Sequence, residues 1–167
     1  FGALGQAFQP STEMFENLLF EQLYACDPER PIWLEDESMS IGTVFIPNAL
    51  FIQMSEANSI VLNVPLAARA NRLASDYGQF STDELALCIT KLSKRLGAEN
   101  VQNAIAALTS GNLDRAVEIT LKYYDKAYAF GLAKRNQSRV FTIQHECSDP
   151  DHNARLALNL YNSVKIG

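Results

Sequence analysis

At 167 residues the chain has the length of one domain, and 47% hydrophobic against 20% charged residues is ordinary for a globular fold with a real core. No stretch nears the roughly 18 apolar residues of a membrane span, no signal peptide pattern is visible, and three cysteines at no recognised spacing argue against a disulfide framework, so a cytoplasmic protein with no membrane partner is expected. The net charge of −5 is unevenly divided, since residues 1–60 hold nine acids and one base while residues 61–167 hold ten acids and thirteen bases. That division fits a cation site facing a polyanion-binding surface, or simply uneven surface charge.

The chain opens at Phe1 without an initiator Met and with motif-like residues, so a piece cut from a longer domain is expected. Two glycines and Pro10 make residues 1–10 a loop. Ser11 is a good N-cap, and Phe15, Leu18, Leu19 and Leu23 at helical spacing predict a helix over 12–25, stopped at Asp27-Pro28. Residues 31–38, Pro-Ile-Trp-Leu-Glu-Asp-Glu-Ser, read as a buried strand that delivers three carboxylates to a sheet edge. Residues 41–47 form a connection, 48–56 a short helix, and the β-branched run 59–64 a second buried strand that Pro65 ends. A helix over 66–76 carries Arg69 and Arg72.

From Ser81 the sequence turns helical. Ser81-Thr-Asp-Glu84 is a capping box, Leu85, Cys88, Ile89, Leu92 and Leu96 form an apolar stripe, and Gly97 suits the end of that helix. Further helices are predicted over 98–109, with Val101, Ala104, Ile105 and Leu108 inward, and over 113–130 through Val117, Leu121, Tyr124 and Tyr128. Residues 139–143 read as a strand, and a last helix starts near Pro150 with Ala157, Leu160, Tyr161 and Val164 inward. Strands alternating with helices predict an α/β fold with a mostly parallel sheet, an α/β core over 1–80 and 132–167, and a helical insertion over 81–131.

Glu35, Asp36 and Glu37 at the end of an apolar run match the Walker-B pattern, in which carboxylates beyond a strand hold Mg²⁺ with phosphate oxygens and water; a solvated acidic turn would read the same. Arg69 and Arg72, at i and i+3 after a strand, suit bidentate phosphate binding or are plain surface arginines. Lys91, Lys94 and Arg95 share a helix face, as do Lys122 and Lys126, and with Lys134, Arg135 and Arg139 they suit a nucleic-acid backbone. Tyr123, Tyr124 and Tyr128 among them would stack on unpaired bases or belong to the core. His145, Cys147 and His152 are too few for a closed structural zinc site, and an ordinary structural role is the stronger reading. The phosphate-cradling G-x-x-x-x-G-K-[ST] loop is not in this chain.

In order and spacing, residues 1–11 (Phe-Gly-Ala-Leu-Gly-Gln-Ala-Phe-Gln-Pro-Ser), Phe15-Glu-Asn17, Ile32-Trp-Leu-Glu-Asp-Glu-Ser38, Ile41-Gly42, Ile46-Pro47, Val64-Pro-Leu66 with Arg69, Asp76-Tyr-Gly78, Lys94-Arg-Leu-Gly97 and Tyr123-Tyr-Asp-Lys126 resemble the tRNA 2-selenouridine synthase family. The resemblance covers residues 1 to about 130. It implies the C-terminal portion of an incomplete P-loop NTPase-like domain, with the Walker A loop and an N-terminal rhodanese-like module upstream. It implies replacement of the sulfur of wobble 2-thiouridine in tRNA by selenium from selenophosphate, through an S-geranyl intermediate made from geranyl diphosphate. In that frame Asp36 and Glu37, with Glu35 as a third member, would hold or orient Mg²⁺. Arg69 and Arg72 would clamp the diphosphate, and Lys91, Lys94, Arg95, Lys122, Tyr123 and Lys126 would hold the anticodon arm. None of the three cysteines would handle selenium, and the fragment alone would be inactive. The residues also leave open a small P-loop kinase fragment or a non-catalytic helical binding module.

Overall fold

The computed structural model describes Gly2, residues 4–146 and residues 149–164, in two compact units, Gly2–Ala57 and Asn58–Gly167. The first unit holds helix α1 (Thr12–Tyr24), a hairpin of β1 (Ser40–Ile41) and β2 (Val44–Phe45), and helix α2 (Asn48–Glu56). Ser11 caps α1 as predicted, its hydroxyl accepting from the Met14 amide at 3.2 Å. The hairpin turns over two residues, Gly42 and Thr43, and Gly42 sits at φ +63, where a side chain is strained. Gln9 braces that turn: its Nε2 donates to the Ile41 carbonyl (2.9 Å) and its Oε1 accepts from the Thr43 amide (2.8 Å). A Cβ at Gly42 would run into the same carboxamide.

The strand expected over 31–38 is not formed. These residues are irregular, and Ile32, Trp33 and Leu34 are each about half exposed. A strand exists only by exchanging backbone hydrogen bonds with a neighbour, and among the described residues no strand lies beside this run. Nor does α1 bury any residue fully: Phe15, Leu19 and Leu23 of its predicted apolar stripe are partly covered and Leu18 is exposed.

The second unit begins with β3 (Ser59–Asn63) and α3 (Leu66–Tyr77), continues through helices α4 (Thr82–Lys91), α5 (Ser93–Leu96), α6 (Ala98–Thr109) and α7 (Leu113–Ala133), and ends with β4 (Val140–Gln144) and α8 (Pro150–Val164). β3 and β4 pair in parallel, from Ser59 opposite Val140 to Asn63 opposite Gln144, whose side chains bond at 2.7 Å. The fold is therefore mixed α/β and mostly helical, with a small parallel sheet, consistent with part of a P-loop-like domain. No residue of β3 is fully buried, against the buried strand predicted, because the two-stranded sheet leaves its faces only partly covered.

The core lies among the helices. Leu85 and Ile89 of α4, Val101, Ala104 and Leu108 of α6, and Ala116, Val117 and Ile119 of α7 are buried, with α6 packed on α7 and α3 also against α7. Fully buried Ala104 and Ala116 keep those helix surfaces low, which lets helix axes approach closely. The capping box forms as read: Ser81 accepts from the Glu84 amide, and Glu84 accepts from the Ser81 amide at 2.9 Å. The predicted single helix over 81–97 is instead broken at Leu92, whose amide turns back to the Ile89 carbonyl. Gly97 takes φ 85 and ψ 150, a conformation essentially reserved for glycine, and joins α5 to α6. Two residues expected inward lie out: Tyr128 on α7 and Val164 on α8.

Ile89→Ala removes a side chain with no exposure and should lower stability by about 2–5 kcal/mol in urea unfolding. Leu87→Ala on the exposed face of α4 should cost little. The Ser81 hydroxyl, and then its amide, hold the Glu84 carboxyl below the ordinary glutamate range. A depressed folded pKa stabilises above the unfolded value, and that stabilisation is lost as pH falls through the folded one. Glu84→Gln should thus melt lower than wild type at neutral pH and lose less on acidification, read by thermal melts across pH.

Candidate functional site

Arg69 enters through its position. Pro65 ends the segment after β3 and opens α3, so Arg69 falls in the helix's first turns, and its Nε donates to the Val64 carbonyl at 3.0 Å. Its two terminal nitrogens grip both carboxylate oxygens of Asp125 on α7, at 2.7 and 2.9 Å. The bond to Asp125, ahead of the opposing cost of burial, raises the Arg69 pKa, so the guanidinium stays charged. Arg72, three residues on, reaches instead to Asp76 one turn along α3 at 3.3 Å and is exposed. The two arginines expected to act as one clamp are thus each held by a carboxylate of this chain.

On α7 the residues around Asp125 open onto a cleft of about 380 Å³, lined by Arg95, Leu96, Asn100, Ile119, Lys122, Tyr123, Asp125 and Lys126. Four of the six residues expected to hold RNA, Arg95, Lys122, Tyr123 and Lys126, meet there; Lys91 and Lys94 are exposed on α4 and α5, outside the lining. Three cations face one carboxylate, and that carboxylate is matched by Arg69, so the cleft favours anions. Tyr123 stands edge-on to Tyr124 with ring centres 5.3 Å apart. Burial, then Tyr123, raise the pKa of half-buried Tyr124, with nearby Arg95 opposing, so this hydroxyl stays protonated. Asp125 and Asn100 were not singled out from sequence. Asp125 stood inside the Tyr123-Tyr-Asp-Lys126 motif, but its partner lies 56 residues back.

Glu35, Asp36 and Glu37 lie in the first unit, in the irregular run after Leu34, with Glu35 and Asp36 exposed and Glu37 half-buried. The Glu37 amide donates to the Glu35 carbonyl at 2.9 Å, which turns the chain between them. Among the described residues no three His, Cys, Asp or Glu side chains gather as a metal cage. A Mg²⁺ held by one or two carboxylates and completed by phosphate oxygens and water needs no such cage. His145 and His152 stack with ring centres 4.5 Å apart, while Cys147 lies outside the described residues.

A family model described as the tRNA 2-selenouridine synthase AAA domain matches residues 1–85. Among curated relatives, proteins named tRNA 2-selenouridine synthase are similar. The one from Shewanella piezotolerans is 30% identical, over 82% of this chain and 46% of its own length. The one from Aeromonas salmonicida is 32% identical, over 80% of this chain and 44% of its own. The one from Psychromonas ingrahamii is 29% identical, over 76% and 43%. The chain thus spans less than half the length of these relatives. No solved structure matches it significantly. No helix of the described residues is long and apolar enough to cross a membrane.

The Arg69–Asp125 pair is bidentate yet only partly shielded, with the two side chains 33% and 41% exposed. A double-mutant cycle of Arg69→Ala and Asp125→Ala should give a coupling of about 1 kcal/mol in urea unfolding, and a coupling near zero would make the pair incidental to the α3–α7 contact.

Proposed function

The chain belongs to the tRNA 2-selenouridine synthase family, and from that premise we propose that it supplies the RNA-holding part of an enzyme that exchanges sulfur for selenium on a tRNA uridine. The observation that carries this reading is the convergence of Arg95, Lys122, Tyr123 and Lys126 on one cleft. Cations at that spacing neutralise phosphates, and an adjacent tyrosine offers a ring to a base. Lys91 and Lys94, exposed on α4 and α5, are further cations of the same unit.

The substrate we propose is wobble 2-thiouridine, held by the anticodon arm. Its sulfur first takes the geranyl group of geranyl diphosphate, the carbon–oxygen bond to the diphosphate breaking as the anion leaves. The selenium of selenophosphate then attacks the ring carbon, the geranylated sulfur leaves as geranylthiol, and water breaks the selenium–phosphorus bond to release phosphate. Charge that builds on the departing diphosphate must be neutralised, and Arg69 and Arg72 are the guanidinium groups suited to it. Arg69 would then exchange the Asp125 carboxylate for phosphate oxygens, a swap between like-shaped bidentate partners. Asp36 and Glu37, with Glu35 beside them, would hold a Mg²⁺, whose chemistry would be to neutralise charge on phosphate oxygens. A rhodanese-like module and the phosphate-cradling loop would come from the further length that the relatives possess. The enzyme is taken as a cytoplasmic transferase.

Nucleosides from bulk tRNA, measured by mass spectrometry with and without the gene, test the activity. Loss of 2-selenouridine and geranylated 2-thiouridine, restored by the intact gene, is expected; unchanged nucleosides in cells that make selenophosphate would discard the reading. Restoration by an Asp36→Ala gene would remove the metal role alone. For the cleft, Lys122→Ala with Lys126→Ala in the full-length protein should weaken tRNA binding. It should also make the slope of log affinity against log salt shallower by about 1 to 2.

A further inference from the structure

Beyond the cleft, the second half of α7 has a face that the core does not use. Every residue from 126 to 131 is exposed, and within this stretch Phe130 shows 65% of its surface. A phenylalanine at that exposure gives up most of the stabilisation that burial would supply. Its surroundings are cationic: the Lys134 ammonium lies 4.0 Å from the ring centre, and Lys126 stands one turn before it.

With about 100° per residue in an α-helix, Tyr123, Lys126, Phe130 and Lys134 fall within an arc of roughly 80°, spaced i, i+3, i+7 and i+11. The result is one straight stripe, aromatic then cation, twice over, about 16 Å long by the helical rise. Its first two members line the cleft, so the stripe runs out of that cleft along the helix. Lysines alone would suit any polyanion. Aromatic rings placed between them suit one whose flat bases are free to leave their neighbours, because paired bases in a duplex are stacked away from a side chain.

We propose that this face of α7 is a platform for unpaired RNA, with Lys126 and Lys134 on backbone phosphates and Phe130 stacked on a base. The proposal rests on the tRNA reading above and adds to it that the segment held is a loop, not a stem, and that Phe130 discriminates between them. Lys134 covers one face of the ring, and the high exposure of Phe130 leaves the ring open to a base. The charge of the stripe favours RNA over an apolar protein partner.

The test uses full-length protein and two RNAs, a hairpin with 2-aminopurine in its loop and the same stem as a blunt duplex. Phe130→Leu keeps apolar bulk and helix propensity at an exposed position but cannot stack, and circular dichroism melts confirm that it folds. Stacking is worth about 1–3 kcal/mol per base, so Phe130→Leu should weaken hairpin binding by at least about 5-fold, abolish quenching of the 2-aminopurine and leave duplex binding unchanged. Phe130→Trp should restore both hairpin affinity and quenching. Hairpin binding and quenching unchanged in Phe130→Leu would overturn the proposal and leave the ring to a protein partner. An equal loss on hairpin and duplex would also overturn it, since it would make the ring a general support for the helix. Wild-type protein that binds neither RNA would instead bring down the tRNA reading itself.

Discussion

A guanidinium can hold two partners at once, and Arg69 does. It takes the Val64 carbonyl just beyond β3, it is carried by α3, and it grips Asp125 on α7 with both terminal nitrogens. The end of a parallel strand, the helix that follows it and the long helix that bears the cleft are thereby tied at one point. Asp125 is one residue from Lys126 and three from Lys122, so its bond to Arg69 anchors the stretch of α7 that carries both lysines. The same bond cancels the one negative charge in the cleft lining, and in the proposed reaction that carboxylate and a diphosphate would compete for one arginine.

The basic cleft and the acid run belong to different units. The basic helices form a unit with its own buried core, which α4, α6 and α7 build from leucine, isoleucine, valine and alanine. The acid run lies in a unit whose apolar residues are widely exposed, from Phe8 and Phe20 to Ile32, Trp33 and Leu34. Relatives more than twice this length carry further residues.

Much of the helical part was legible in the sequence because its signals are short-ranged. A capping box needs residues three apart, an apolar stripe needs residues three and four apart, and Gly97 announces a backbone angle that no other residue adopts cheaply. The bounds of α2, α3, α6 and β4 accordingly lie within about a residue of the expectation. The family was legible for a different reason, a set of short motifs in one order, and the comparisons bear it out.

What the tertiary structure decided were the matters that depend on a distant partner. Ile32, Trp33 and Leu34 have the composition of a buried strand, yet a strand is made by its neighbour's hydrogen bonds, which composition does not encode. Leu92 sits in an unbroken apolar stripe, and only the backbone shows the helix breaking there. Arg69 and Asp125 are 56 residues apart, so their pairing, and the neutralised carboxylate at the cleft, could not be read from either one's surroundings in the chain. By itself the sequence determined the family, the helices and which helix faces were basic. Packing decided which of those basic residues share a cleft and which aromatic ring is left in water, because contact between distant residues is a property of the assembled fold.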